Sequence, residues 1–187
     1  MSSPPSPQIA AAAAKVRLCL FDVDGVLTDG KIILGPDQQE YKAFDVKDGQ
    51  GLVMLREFIE VGIITGRQSS VVADRMAQLG IEHVYQGQKN KLAAFESLLG
   101  KLGLSADAVC YVGDDLPDLS VMTRVGLPVA VADAVPAVQE IAKWCTAKAG
   151  GCGAAREVCE MLLSAQGHLP ALLEKAAGGT IQLDSNR

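Results

Sequence analysis

Asp22 and Asp24 stand two residues apart, directly after an apolar run, in the stretch Asp22-Val23-Asp24-Gly25-Val26-Leu27-Thr28. A second apolar run ends in Thr65-Gly66-Arg67, and a later one in Gly113-Asp114-Asp115, with Asp118 one helical turn further on. Lys91 lies between them and opens a segment of helical periodicity. Carboxylates gathered at one sheet edge repel one another unless a cation neutralises them. Ligands that offer oxygen, without His or Cys, suit a hard ion, and Mg2+ keeps waters that a substrate can replace. In such a site Asp22 can attack phosphorus, because the ion removes the repulsion between carboxylate and phosphate. Asp24 can protonate the leaving oxygen and later deprotonate the attacking water. Thr65 adds a hydroxyl, Gly66 lets a backbone N–H approach the transferring oxygens, and Lys91 supplies fixed positive charge.

Each piece alone has a plainer explanation. A lone Asp-x-Asp is common, Thr65-Gly66 can be an ordinary turn, Lys91 a solvated helix residue, and Asp114-Asp115 before Pro117 a helix cap. Their conjunction is much harder to reach by chance, because order, spacing and placement at strand ends all agree.

The elements that must position these residues follow from hydrophobic periodicity. Val16–Phe21, Val61–Ile64, Val109–Val112 and Pro128–Val131 read as buried strands. Gly51–Ile59, Ser70–Leu79, Lys91–Leu102, Pro117–Arg124, Pro136–Lys143 and Ala154–Ala165 carry apolar residues at helical spacing. Strands alternating with helices imply right-handed parallel crossovers, hence an α/β fold with a doubly wound parallel, Rossmann-like sheet. Ligands of such sheets gather beyond the carboxyl ends of the strands, where the polar residues fall. Lys31–Leu34 and Gln39–Phe44 flank the turn signal Gly35-Pro36-Asp37 and predict a projecting β-hairpin. Residues 1–14 are expected to be a flexible leader, 15–166 a single domain, and 167–187 a mobile or docking tail.

Composition narrows the function classes. The 187 residues carry 22 acidic and 17 basic side chains, a net charge of −5, which gives no reason to expect nucleic acid. No apolar run approaches a membrane span, and Met1–Ala14 lacks the basic start of a signal peptide. The 5 cysteines show no CxxC spacing and read as reduced thiols of a cytoplasmic protein. With 2 histidines far apart, a multi-histidine metal site is excluded and a Ser-His-Asp triad poorly supported.

The motifs together resemble those of the haloacid dehalogenase superfamily, in Asp22 to Thr28, Thr65, Lys91 and Gly113-Asp114-Asp115-x-x-Asp118, over residues 16 to 166. The resemblance implies an aspartyl-phosphate mechanism with Asp22 as nucleophile and Asp24 as acid/base. It implies Mg2+ held by Asp22, the Asp24 backbone carbonyl and Asp114, with Asp115 or Asp118 on the ion or just behind its ligands. Asp22 to Thr65 spans 43 positions, Thr65 to Lys91 26, and Lys91 to Asp114 23, which leaves no room for a cap domain. A bare site either accepts a macromolecule or is closed by a neighbouring subunit.

Local stretches resemble one capless family, the 3-deoxy-D-manno-octulosonate (KDO) 8-phosphate phosphatases. They are Asp29-Gly30, Lys42-Ala43-Phe44, Lys47-Asp48-Gly49-Gln50-Gly51, Ile63 to Arg67, Tyr85-Gln86-Gly87, Lys91 and Gly150 to Glu157. That resemblance implies release of phosphate from an eight-carbon sugar acid phosphate in lipopolysaccharide biosynthesis. It also implies a homotetramer in which hairpin 31–44 shapes a neighbour's site. The substrate's carboxylate would need cations beyond Lys91: Arg67 first, then Lys47 and Arg75. Lys47, Asp45 and Cys152 depart from the family's usual arginine, asparagine and long basic residue, and Lys47 and Asp45 together make the sugar region less positive. A phosphatase for a nine-carbon sialic-acid-type sugar phosphate, or another small ester, is an alternative on the same machinery. A non-catalytic tetramerisation module is an alternative of another class, which has no need of Asp22, Asp24, Lys91 and Asp114 together.

Overall fold

The computed structural model describes residues 6–178. Its centre is β1 (Leu18–Phe21), four residues with every side chain fully buried. Each large apolar side chain so buried contributes roughly 1.5–3 kcal/mol. Parallel to β1 run β4 (Glu60–Ile64) and β5 (His83–Tyr85) on one side, and β6 (Val109–Gly113), β7 (Leu127–Ala130) and β8 (Trp144–Cys145) on the other. The order is β5-β4-β1-β6-β7-β8. The chain leaves β1 towards β4 and later returns to the opposite side at β6, so the loops after β1, β4 and β6 diverge around a crevice. The doubly wound parallel sheet expected from periodicity is therefore present. The short edge strands β5 and β8 were missed because two or three residues carry no readable alternation.

Helices α3 (Ser70–Leu79), α4 (Lys91–Leu102) and α7 (Ala154–Ala165) have the expected bounds. Pro117–Arg124 is shorter and mixed, a 3-10 turn over Leu116–Asp118 followed by α5 (Leu119–Met122), and α6 covers Pro136–Ile141. Helix α2 (Val46–Leu55) begins five residues earlier than expected and ends earlier. Asp45 caps it, accepting from the Lys47 N–H at 2.6 Å. Gly49 and Gly51 disguise this helix because glycine is a poor helix former. Packing is tight at Gly51, where a Cβ would lie 3.1 Å from Arg156 Cα and 3.3 Å from Cys159 Cβ of α7.

The hairpin is present but its ladder is short. β2 (Ile33–Leu34) pairs antiparallel with β3 (Glu40–Tyr41) across a 3-10 turn at Pro36–Gln38. No cap domain occurs among the described residues, and no helix there is long and apolar enough to cross a membrane.

Both expected chain ends hold a helix where they are described. Within the supposed flexible leader, α1 (Pro7–Ala13) forms a helix, capped by Ser6 and opened by Pro7. Ala13 is buried, and Gln166 Nε2 donates to the Ala13 and Val16 carbonyls at 3.1 and 2.8 Å. The tail turns at Gly167 and forms α8 (Leu169–Ala176), with His168 stacked on Phe58 at 4.1 Å. Residues 1–5 and 179–187, part of the leader and tail expectations, lie outside the described residues.

Candidate active site

Asp22 follows β1 directly, and its N–H donates to the Val112 carbonyl at 3.1 Å, extending the β1–β6 pairing by one residue. The chain then coils tightly. The Val23 carbonyl accepts from the N–H groups of Val26, Leu27 and Thr28, while the buried Thr28 hydroxyl donates to the same carbonyl at 3.3 Å. Gly25 makes the turn at φ +95°, and any Cβ there would overlap the Asp114 carboxylate.

Lys91 is the first residue of α4, where the helix dipole disfavours a cation. Its side chain is nevertheless buried and bridges Asp22 Oδ2 at 2.8 Å and Asp118 Oδ1 at 2.7 Å. Burial alone would lower the Lys91 pKa, but the charges and hydrogen bonds of Asp22 and Asp118 together outweigh it, and the pKa is raised. Asp118 is fully buried and fully partnered. Its Oδ1 also accepts from the Tyr111 hydroxyl at 2.7 Å, and its Oδ2 from the Asp114 and Asp115 N–H groups at 2.9 and 3.2 Å. Only glycine at 113 permits this, since a Cβ would sit 2.6 Å from Asp118 Cβ.

Asp22, Asp114 and Asp118 each bring a carboxylate oxygen within 4.8 Å of the others. Asp22 Oδ1 and Asp114 Oδ1 are buried without any hydrogen-bond partner. Buried orphan acceptors of this kind fit a hard cation bound between them. Without one, burial pushes the Asp22 carboxyl up to about 6, with Lys91 opposing and Asp118 reinforcing. Burial and then the charges of Asp118 and Asp22 push Asp114 up to about 8.

Of the other expected site residues, Thr65 directly follows β4, buried, with its N–H donating to the Tyr85 carbonyl at 2.9 Å. Space beside Gly66 is open, its nearest neighbour to a Cβ being the Gln88 carbonyl at 4.0 Å, so no steric need for glycine arises there. Arg67, about half-exposed, reaches the site: Nε lies 3.8 Å from Asp24 Oδ2. Asp115 does not join the cluster. It is exposed, and its carboxylate accepts from Leu116 N–H at 2.8 Å as a helix cap. Lys47 is exposed in the first turn of α2, while Arg75 lies over Gly49 and donates to Gln78 Oε1 at 3.4 Å. Neither is hydrogen-bonded or ion-paired to the acidic cluster among the described residues.

Several participants were not foreseen. Lys42, just beyond β3, buries its side chain and pairs with Asp24 Oδ1, and Glu40 pairs with both Lys42 and Arg67. Tyr111 hides its hydroxyl inside an apolar strand; its placement two residues before Gly113-Asp114 was the available signal. The loop Gly150–Gly153 packs beneath the Asp22–Thr28 coil, with Gly151 N–H donating to the Val26 carbonyl at 2.9 Å. A Cβ on Gly150 would overlap the Gly25 carbonyl, and one on Gly151 would overlap Thr28. The buried Asp48 carboxylate anchors that loop, accepting from Gly153 N–H at 3.1 Å and Arg156 N–H at 2.7 Å.

Comparison with known proteins agrees with this geometry. A model of haloacid dehalogenase-like hydrolases matches residues 80–157. KDO 8-phosphate phosphatases of Salmonella typhimurium and Escherichia coli K12 are 54% identical over 167 residues, covering 89% of this chain and 89% of theirs. The probable phosphatase of Pseudomonas syringae superimposes with a TM-score of 0.91 at 45% identity, covering 94% of this chain and 100% of that one. The Moraxella catarrhalis KDO 8-phosphate phosphatase, solved with magnesium, phosphate and KDO, gives 0.90 at 41% identity, covering 91% and 99%. At such identity and coverage, the chain belongs to the 3-deoxy-D-manno-octulosonate 8-phosphate phosphatase family of haloacid dehalogenase-like hydrolases.

Proposed function

We propose that this protein hydrolyses 3-deoxy-D-manno-octulosonate 8-phosphate to the free sugar acid and inorganic phosphate, with Mg2+, within lipopolysaccharide biosynthesis. The observation that carries the reading is the pair of orphaned buried oxygens, Asp22 Oδ1 and Asp114 Oδ1, beside a lysine already fixed by two carboxylates. Asp22 and Asp114, with the Asp24 carbonyl, would hold the ion, whose charge offsets that of the phosphate when bound. Asp118 acts from behind, fixing Lys91 and the Asp114 backbone.

In the first step an Asp22 oxygen bonds to phosphorus and the ester oxygen departs with a proton from Asp24, leaving an aspartyl phosphate. In the second, Asp24 takes a proton from water, whose oxygen attacks phosphorus and frees Asp22. The Thr65 hydroxyl, the Gly66 N–H and the Lys91 ammonium stabilise charge on the transferring oxygens. Arg67, beside Asp24 and partly open to solvent, is the cation we assign to the substrate carboxylate. Lys47 and Arg75 come after it as candidates for the sugar, acting across a subunit interface.

Assembly belongs to the same proposal. Ile33, Leu34, Tyr41 and Val46 are exposed on and beside the hairpin, 46 at 77%, an apolar surface suited to burial against further copies. We infer a homotetramer in which hairpin 31–44 shapes a neighbour's site. Cytoplasmic residence is part of this reading, in keeping with five free cysteines.

The experiment is phosphate release from eight-carbon and nine-carbon sugar acid phosphates, with Mg2+ and with chelator. A strong Mg2+-dependent preference for the eight-carbon substrate is expected. Equal rates on both would remove the substrate assignment, and activity undiminished by chelator would remove the metal.

A further inference from the structure

We propose that Lys42, carried by the hairpin, is a positioning residue for Asp24, so that the hairpin sets the orientation of the carboxylate that moves protons. The proposal rests on the reading of Asp24 as the acid and base of the reaction.

Lys42 is out of keeping with its surroundings. It follows β3 in a hairpin whose Ile33, Leu34 and Tyr41 are largely exposed, yet its own side chain is only 1% exposed. A buried ammonium is tolerated when it is paired. Here it contacts Asp24 Oδ1 and lies 3.5 Å from Glu40 Oε1. Glu40 Oε1 also accepts from Arg67 Nη2 at 3.3 Å, and Arg67 Nε stands 3.8 Å from Asp24 Oδ2. Two cations and two carboxylates thus alternate around a closed ring. Asp24 is held at one oxygen by a buried lysine and approached at the other by an arginine half open to solvent.

The two cations are not equivalent. Water or substrate can replace the Arg67 contact, whereas the Lys42 contact is enclosed. Nothing in the attack on phosphorus calls for Lys42, since Lys91 already sits on Asp22. What the reaction does require is one Asp24 oxygen aimed first at the ester oxygen and then at the water. Proton transfer falls steeply when donor and acceptor are misplaced. Lys42 fixes that aim, and whatever seats the hairpin transmits to Asp24 through it.

The role has a signature that a merely structural residue lacks. Help from a general acid matters for an alkyl ester, whose leaving oxygen needs a proton, and hardly matters for 4-nitrophenyl phosphate, whose phenolate departs without one. The ratio kcat/KM covers the steps up to the first phosphoryl transfer and is the quantity to compare. The set is wild type, Lys42→Met, which keeps the apolar stem, Lys42→Arg, which keeps the charge, and Asp24→Asn as reference. Folding is checked by circular dichroism and thermal melting, and binding by competitive inhibition with the free sugar acid.

Lys42→Met is expected to lose about 10–100-fold in kcat/KM on the sugar phosphate, part of what general acid catalysis supplies. On the aryl ester it should lose less than about 3-fold, and Lys42→Arg should regain most of the activity. The inhibition constant of the sugar acid should stay within about 2-fold. Asp24→Asn should show the same substrate pattern with a larger loss. Wild-type rates in Lys42→Met, while Asp24→Asn loses the alkyl substrate selectively, overturn the Lys42 role alone. So do equal losses on both esters, or a loss matched by weaker inhibition, which would make Lys42 a binding or folding group. If Asp24→Asn itself costs both esters equally, the acid/base reading fails and takes the proposal with it.

Discussion

A lysine at the first position of a helix opposes the helix dipole, and a buried one costs desolvation as well. Lys91 bears both costs and is compensated by two aspartates within 2.8 Å. A residue that breaks local rules while its neighbours satisfy it marks a site where function outranks stability. Asp22→Asn should therefore abolish phosphate release with little change in melting temperature, because the amide keeps the shape and the contact with Lys91. Retention of wild-type turnover in that variant would rule out the covalent route. Arg67→Ala should lose more with sugar acid phosphates than with an aryl phosphate, since its assigned partner is the carboxylate that only the former carry. Equal losses would place Arg67 on the phosphate or in the fold. Asp22, Asp24 and Asp114 were legible in the chain because polar residues follow strand ends, Asp118 by its spacing from Asp114, and Lys91 because it opens a helix. Lys42 and Tyr111 were not, because the first sits in a hairpin with no periodicity to flag a buried lysine and the second lies in an apolar strand. The division of labour between Asp115 and Asp118 was equally hidden, since side-chain direction after Gly113 decides which one turns inward.

Elements were legible in proportion to their length and to how little tertiary packing overrode local preference. Helices α3, α4 and α7 announce themselves by unbroken periodicity, and two of them stop at glycines in the left-handed region, Gly80 and Gly103. Helix α2 does not, because glycines stand where α7 approaches closely and where a helix would choose otherwise. The same contact explains Asp48, which joins elements more than 100 positions apart in the chain. Its carboxylate serves as a cap for α7 that no local pattern could reveal. Asp48→Ala should leave the Gly153 and Arg156 N–H groups without an acceptor, at a cost of about 1–3 kcal/mol. For a chain of this size that corresponds to roughly 2–4 °C in melting temperature per kcal/mol. Because the Gly150–Gly153 loop supports the Asp22 coil, turnover should fall as well, and Asp48→Asn, which retains one acceptor, should lose less of both. An unchanged melting curve in Asp48→Ala would show that the two N–H groups find other partners.

For the molecule as a whole, metal-free stability and metal binding are tied by the same two carboxylates. Asp22 and Asp114 hold protons up to about 6 and about 8. In the unfolded chain both would titrate near the ordinary aspartate value of about 4. The folded, metal-free protein thus binds more protons than the unfolded one between those limits, so the contribution of these groups to stability is present at about pH 4. It is lost as pH rises through 6 and then 8. A cation replaces those protons, so Mg2+ must bind more tightly as pH rises over that interval and must release protons as it binds. At a fixed Mg2+ concentration, the rise in melting temperature should be larger at pH 8 than at pH 6. Calorimetric titration at pH 7 in two buffers of different ionisation enthalpy should register net proton release, mainly from Asp114. An Asp114→Asn variant should lose most of that release together with the Mg2+-dependent rise in melting temperature. Equal Mg2+ stabilisation at both pH values, or titration heats that do not depend on the buffer, would mean that the ion does not sit on these buried oxygens. Lys91 would then be the cation that compensates the acidic cluster, and the two orphaned acceptors would need another partner.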